Sequence, residues 1–348
     1  VIAYRQSGDS FIPARHQPAL VLDYARSREL DERGDLVLRG TGLHGWQMPA
    51  ADSALTPVQY LQLLSNVTRA LDSPDTSFML GQQMLPGHYG ALSHALLQAQ
   101  NLRQALQILS AGQARLCPLL TPRLREEGGM AVLYWTDSFG APSQLPALVE
   151  MHMTAVTAMC RWLSGERLPW RYCINRSAPA HIEQHQVHLG SDLRFNCHLD
   201  AMLINPAWLD RPWPRGNGMA ASVALHSAAD EAGAEALAPA LLTALYDYLL
   251  ANIRLGPTLE GSAADFGISP ATLKRHLARH GSHFQAELDQ VRAHVAIQLF
   301  QMRGYDNEAV AQYLGFHDAT NFRRSFKRWT GLTPSLLRDG LLSIPQLI

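Results

Sequence analysis

The residues best placed to do chemistry are two sets of basic, hydroxyl and amide side chains at matching positions near the C-terminus. Lys274 and Arg275 stand in Ser269-Pro-Ala-Thr-Leu-Lys-Arg-His-Leu277, and Arg323 and Arg324 in Asp318-Ala-Thr-Asn-Phe-Arg-Arg-Ser-Phe326. Arginine can bridge guanine O6 and N7, asparagine can pair with adenine, and threonine can meet a base edge or the thymine methyl. This is a chemistry of reading bases, not of breaking bonds. In helical register Leu273 and Leu277 turn inward together, as do Phe322 and Phe326. That leaves Ala271, Lys274, Arg275 and Arg279 outward in the first set, and Thr320, Asn321, Arg323 and Arg324 outward in the second. Lys327 and Arg328 suit phosphate contacts, which position a protein on a duplex without reading it.

The segments that must hold these side chains form a degenerate repeat. Ala263 and Gly267 map onto Ala311 and Gly315 at an offset of 48. After one extra residue in the second turn, Leu273, Arg275 and Leu277 map onto Phe322, Arg324 and Phe326 at an offset of 49. Each copy reads as helix, glycine turn, helix, the layout in which the second helix enters the major groove. Two copies let one subunit read two segments of one duplex. Ser269 predicts an N-cap with Pro270 at the first helical position, where its missing N–H costs nothing. Ser282-His-Phe-Gln285 has capping-box form and predicts the start of a long helix ending before Gly304. Its buried stripe is Phe284, Leu288, Val291, Val295 and Leu299. About 20 residues at about 1.5 Å each span about 30 Å. Successive major-groove faces lie about 34 Å apart, so this helix is long enough to set two readers one turn apart. Asp306 and Asp318 predict caps for the second unit, and Thr333-Pro334 a final short helix.

Composition narrows the alternatives. A chain of 348 residues, 47% hydrophobic and 17% charged, fits two domains with sizeable cores. It has no run of eighteen apolar residues, which predicts no membrane span. The start Val1-Ile-Ala-Tyr-Arg lacks both a methionine and the pattern of a secretion signal, which predicts a trimmed, cytoplasmic chain. Cys117, Cys160, Cys173 and Cys197 form no paired motif and read as buried, reduced thiols. The overall net charge of −1 argues against indiscriminate nucleic-acid binding. From Pro270 to Arg338, however, ten Lys/Arg face five Asp/Glu, a net +5 that leaves −6 for the rest. A basic module on an acidic partner domain suits local phosphate contact.

Ahead of that module the chain mixes helices and strands. Pro57–Leu71, Leu92–Leu109 and Val149–Leu163 carry helical stripes. Met130–Thr136, Trp170–Asn175, Gln186–Leu189 and Met202–Ile204 suit strands. Arg215–Ala238, rich in Gly, Ala and Ser, reads as a connector, partly helical in its later half.

Three other motifs carry less. His181-Ile-Glu-Gln-His185 with His188 invites a zinc reading, but the metalloprotease pattern needs Glu directly after the first His, where Ile182 stands. A loop with solvated or hydrogen-bonded histidines is the better account, so no metal is expected. Gly40-Thr-Gly-Leu-His-Gly45 meets the bare dinucleotide pattern, but Trp46-Gln-Met-Pro49 opens no helix after it and no βαβ unit surrounds it. No Gly-x-Ser-x-Gly elbow is present, and no other catalytic constellation argues for an enzyme or a cofactor. Trp46, His88, Tyr89, His94 and Trp135 are candidates for lining an effector pocket, although such side chains commonly serve the core.

The run Leu314-Gly-Phe-His-Asp-Ala-Thr-Asn-Phe-Arg-Arg-Ser-Phe-Lys-Arg-Trp-Thr-Gly-Leu-Thr-Pro334, with Ile268-Ser-Pro-Ala-Thr-Leu-Lys-Arg275, resembles the DNA-binding signature of the AraC/XylS family of bacterial transcription regulators. Leu277 stands where a bulkier Phe is common in the family, a conservative departure. Ala271 offers less for base reading than a polar residue would, which shifts readout toward the second unit. Leu85-Pro-Gly-His-Tyr-Gly-Ala-Leu-Ser-His-Ala-Leu96, Asn101-Leu-Arg-Gln-Ala-Leu106 and, more weakly, Leu193–Leu209 resemble the effector domain of the subgroup with ornithine- and quorum-responsive Pseudomonas regulators. The resemblance implies an α+β effector-binding and dimerisation domain over 1–214 and a linker over 215–238. An all-α DNA-binding domain with two helix-turn-helix units joined by a long helix then occupies 239–348. It implies a homodimeric regulator, mostly activating, whose partners are double-stranded promoter DNA, RNA polymerase and a small-molecule effector. The alternative is a regulator whose N-terminal domain is a ligand-free dimerisation or protein-interaction module.

Overall fold

The computed structural model describes residues 1–46, 50, 53–180, 182–232 and 238–341. A short antiparallel pair, β1 (Ile12–Pro13) and β2 (Ala54–Leu55), frames α1 (Gln17–Ser27) and α2 (Gly34–Leu38). Thr56 then opens α3 (Pro57–Leu71) with a full capping box through Gln59. The helices α4 (Thr76–Met84), α5 (Ala91–Leu97), α6 (Leu102–Ala111) and α7 (Gln113–Leu116) follow. The leucine stripe from Leu92 to Leu109 predicts one helix where there are two. Asn101 adopts an extended backbone and its side chain accepts from the Gln104 N–H, which ends one helix and starts the next. The stripe survives the break, since Leu92, Leu96, Ala99, Leu102, Leu106 and Leu109 are all buried.

A five-stranded sheet lies beside these helices. Its strands are β3 (Leu120–Glu127), β4 (Met130–Asp137), β5 (Arg171–Cys173), β6 (Leu193–Arg194) and β7 (Ala201–Ile204). They run in the order β3-β4-β7-β5-β6, antiparallel except for the β5–β6 pair. The long α8 (Leu145–Ser164) packs against α4. Gln186–Leu189, expected as a strand, falls in and just after the helix α9 (Glu183–His188). Four alternating residues cannot separate the two periods. The helical turn is closed by Gln186 N–H to Ile182 O and Leu189 N–H to His185 O, and it seats His185 between Phe78 and Phe195.

The segment 215–238, expected as a connector partly helical in its later half, is already helical from Gly218, as α10 (Gly218–Ala232). Alanine is the best helix former, and here Ala221, Ala224 and Ala228 bury one face against α5. Residues 233–237 of that segment lie outside the described residues.

The C-terminal part is all helix. It comprises α11 (Leu241–Asn252), α12 (Leu259–Asp265), α13 (Pro270–Arg279), α14 (Phe284–Met302), α15 (Asn307–Tyr313), α16 (Ala319–Thr330) and α17 (Pro334–Leu341). Leu273 and Leu277 from α13, Val291, Leu299 and Phe300 from α14, and Phe322 and Phe326 from α16 share one core with α11. Of the expected stripe of α14, Leu288, Val291, Val295 and Leu299 are buried and Phe284 is partly so. The expected capping box at Ser282 does not form. His283 takes the N-cap position without a side-chain bond, because the Ser282 hydroxyl is spent on Glu287.

The two parts meet along a polar joint. Thr121 bonds Thr243 at 2.6 Å, and Arg123 stacks over Tyr246 and pairs with Asp247. The Tyr246 hydroxyl lies 3.2 Å from that of Tyr134 and is hydrogen-bonded to His294 Nδ1 at 2.9 Å. Beyond them Glu127 pairs with Arg303 and accepts from Gln298 at 2.8 Å. The N-terminal segment crosses as well, with Arg5 bridged in parallel to Ala240.

Candidate nucleic-acid interface

Each unit is built by the same local devices. Ser269 accepts from the Thr272 N–H with Pro270 at N1 of α13, and Asp318 accepts from the Asn321 N–H at the start of α16. Asp306 caps α15 through the Ala309 N–H. Between the helices Gly267 and Gly315 both take a left-handed φ, +70° and +74°, which a side chain would strain. The Asn321 and Thr320 backbone N–H groups and His317 hold the Asp318 carboxyl below the usual carboxylate range.

All ten residues expected on the outer faces are exposed: Ala271, Lys274, Arg275 and Arg279 on α13, then Thr320, Asn321, Arg323, Arg324, Lys327 and Arg328 on α16. Burial of Leu273, Leu277, Phe322 and Phe326 aims them outward. They are not equally free. The Asn321 amide donates to Asp318 at 2.9 Å, Arg323 to Thr320 at 3.3 Å, and Arg328 lies 3.5 Å from Asp289. Arg279 reaches Gln6 at 3.5 Å. Among the described residues no hydrogen bond or ion pair ties the side chains of Arg275 or Arg324.

The first unit also has contacts that no local pattern signals. The Tyr4 hydroxyl and His276 Nδ1 share a hydrogen bond of 2.9 Å, across 272 residues of sequence. His280 donates from Nδ1 to the Phe139 carbonyl at 3.0 Å. Burial lowers the pKa of both histidines; neighbouring Arg275 and Arg279 add to this at His276. At His280 the bond to the Phe139 carbonyl works against this, since it favours the protonated ring.

The five residues expected to line an effector pocket are not brought together. Tyr89 and Trp135 are buried in the core, and the Tyr89 hydroxyl is spent on the Met84 carbonyl at 2.8 Å. Trp46 packs at the core edge, and His88 is exposed on the loop before α5. His94 is exposed on α5, beside a depression that it shares with Met219 and Val223 of α10. The aromatic and histidine types were legible; their convergence depends on tertiary packing that types do not encode.

The histidines of the zinc-like motif are engaged elsewhere, with His181 outside the described residues. His185 Nε2 lies 2.8 Å from Glu150 Oε1, a carboxylate that also pairs with Arg176, and burial holds its pKa down to about 4. His188 stacks on Phe78 and meets Gln82 at 2.8 Å. Gly40, Gly42 and Gly45 form turns after α2, with the Thr41 hydroxyl bonded to the Leu38 carbonyl. All four cysteines are buried and unpaired.

Comparison with known proteins assigns both parts. Residues 262–340 match a helix-turn-helix domain family, and residues 34–213 match the N-terminal arabinose-binding domain of AraC transcription regulators. The chain is 27% identical over 295 residues to the ornithine utilization regulator of Pseudomonas aeruginosa, covering 84% of this chain and 86% of that protein. It is 37% identical over 81 residues to the helix-turn-helix transcriptional regulator Rv1395 of Mycobacterium tuberculosis, covering 23% of this chain and 24% of that one. The crystal structure of the transcriptional regulator CdpR from Pseudomonas aeruginosa aligns at a TM-score of 0.39 and 20% identity, over 79% of this chain and 91% of that one. Among the described residues no helix is long and apolar enough to cross a membrane. Two capped helix-turn-helix units follow a mixed α/β domain whose family match spans more than half of the sequence, and the chain therefore belongs to the AraC family of transcription regulators.

Proposed function

We propose that the chain is a cytoplasmic transcription activator that reads promoter DNA with Arg275 and Arg324 at base edges. Ala271, Lys274, Thr320, Asn321 and Arg323 flank them, and Arg279, Lys327 and Arg328 bind phosphates. The observation that carries this is the pair of equivalent exposed basic helices, α13 and α16, each capped and each burying two side chains in one shared core. The domain over residues 1–214 binds a small-molecule effector and pairs two copies of the chain, and activation proceeds through contact with RNA polymerase. The effector acts by changing how the joint holds the readers, which requires different affinity for the two arrangements. A relative named for ornithine utilization aligns over most of the chain, which supports a metabolite-linked role and puts ornithine in the first effector screen.

Binding of promoter duplex against random duplex, measured across salt, tests the reader. Specific binding falls steeply with salt, and Lys327→Ala lowers the salt slope by about one with no change in sequence preference. Equal affinity for promoter and random duplex would refute sequence reading. Light scattering at micromolar concentration tests the pairing, and a monomer removes it.

A second reading, an N-terminal domain that pairs or docks without ligand, is favoured by one feature: Met219 and Val223, one turn apart on α10, are 80% and 62% exposed. Thermal denaturation across a metabolite library separates the two, because a ligand of the native state raises its stability.

A further inference from the structure

Resting on that effector reading, we propose that the cavity between the N-terminal segment and helices α5, α7 and α10 is the effector site, and that it takes a small molecule carrying a carboxylate on an apolar body. The cavity has a volume of about 980 Å³, ample for such a ligand. Its wall combines Phe11, Leu92 and Leu225 with Arg5, Arg115 and Asp9.

Arg5 is the unusual member. It is only 7% exposed, with Phe11 stacked 3.9 Å from its guanidinium carbon and its Nε donating to the Ala238 carbonyl at 2.6 Å. Its Nη1 is shielded from solvent and has no acceptor among the described residues. A buried guanidinium donor left unmatched is costly, and a carboxylate is the acceptor whose geometry suits it best. Burial lowers the Arg5 pKa to about 10, which still leaves the group charged near neutrality.

The place also suits a signal. Arg5 pairs through its backbone with Pro239 at 2.8 Å and Leu241 at 2.9 Å, and Leu241 opens α11 of the DNA-binding part. Tyr4, in the same wall, holds His276 of the first reader. An occupant of this cavity therefore touches the backbone that joins the two parts.

Octanoate is the probe, with octanol as its uncharged counterpart, titrated calorimetrically into the full chain. Octanoate is expected to bind one per chain, at least tenfold tighter than octanol. Arg5→Gln is expected to weaken it tenfold or more, while Arg5→Lys retains part of the affinity. Because Arg5 also supports the joint, Ala114→Trp supplies a second variant that fills the cavity from α7 and keeps Arg5 in place. It is expected to abolish octanoate binding in a chain that still melts cooperatively. No octanoate binding, equal binding of octanol, or undiminished binding to Ala114→Trp overturns the proposal. Library metabolites that stabilise both the wild type and Ala114→Trp equally overturn this site while leaving the effector reading intact. A library that stabilises neither, with promoter binding retained, removes the effector reading along with it.

Discussion

The two helix-turn-helix units are near copies in sequence and unlike in surroundings. In the first, a Cβ added at Gly267 would meet Val1 at 2.9 Å, and α13 is held from the N-terminal part through Tyr4–His276 and His280–Phe139. In the second, a Cβ at Gly315 would point into open space, and α16 carries local pairings, the Arg328–Asp289 contact with α14 and one reach from the N-terminal part, from His198 to the Thr330 backbone at its C-terminal end. A repeat thus fixes how each reader is built without fixing how it is held. The N-terminal part holds the first beside its recognition helix through two histidines and the second at the C-terminal end of α16, so the two are placed to feel its state unequally.

The largest test of that contrast removes a core anchor from one unit. Phe326 packs with Phe300 and Phe322. Phe326→Ala is expected to destabilise the C-terminal part by about 3–5 kcal/mol in denaturant titration. Hydrogen exchange should accelerate in α16 before α13; simultaneous opening would mean that the units are one cooperative block.

Next in size are the readers themselves. Arg324→Ala is expected to cost about 1–3 kcal/mol of specific binding and to relax preference at one base pair. Arg275→Ala in the full chain is expected to cost less, since the held unit contributes less. Equal losses in gel-shift titration would break the comparison.

Acid should act on the joint. Burial, aided by Arg123, lowers the His294 pKa to about 4, and it lowers those of His276 and His280 as well. These imidazoles are neutral when folded, whereas an unfolded one takes a proton below about pH 6.5. Stability is therefore full above that value and declines as pH falls toward 4, by about 1.4 kcal/mol per pH unit for His294 alone. His294→Gln should flatten this profile in thermal melts; an unchanged profile would assign the acid sensitivity elsewhere.

The smallest effect is the most local. Tyr4→Phe removes one hydrogen bond, worth about 0.5–1.5 kcal/mol. It should raise exchange in α13 and leave α16 unchanged.

What could be read from the chain beforehand follows how far each interaction reaches. Ser269, Asp306 and Asp318 act on N–H groups three residues away, and all three caps stand as expected. Leu273, Leu277, Phe322 and Phe326 announce their burial by spacing. Ser282 was misleading because Glu287, five residues on, outcompetes the local cap. Leu92–Leu109 kept its stripe but not its continuity, since Asn101 breaks the backbone without breaking the face. Alanines at 221, 224 and 228 looked like spacer composition and are a packed helix surface. The five pocket candidates are a different case: residue type does not say which side chains converge. The Arg5 and Tyr4 contacts join residues more than 230 positions apart, and nothing local marks them.

The length of α14 sets more than a distance. Each residue of an α-helix advances the chain by about 1.5 Å and turns it by about 100°. Inserting one residue between Val291 and Leu299 would swing α16 by about 100° about the α14 axis relative to α13, whatever its arginines could still read. Inserting seven would nearly restore its facing while moving it about 10 Å further along. The length of this one helix is thus a phase setting, and the spacing of promoter elements that such a chain can read is written in it.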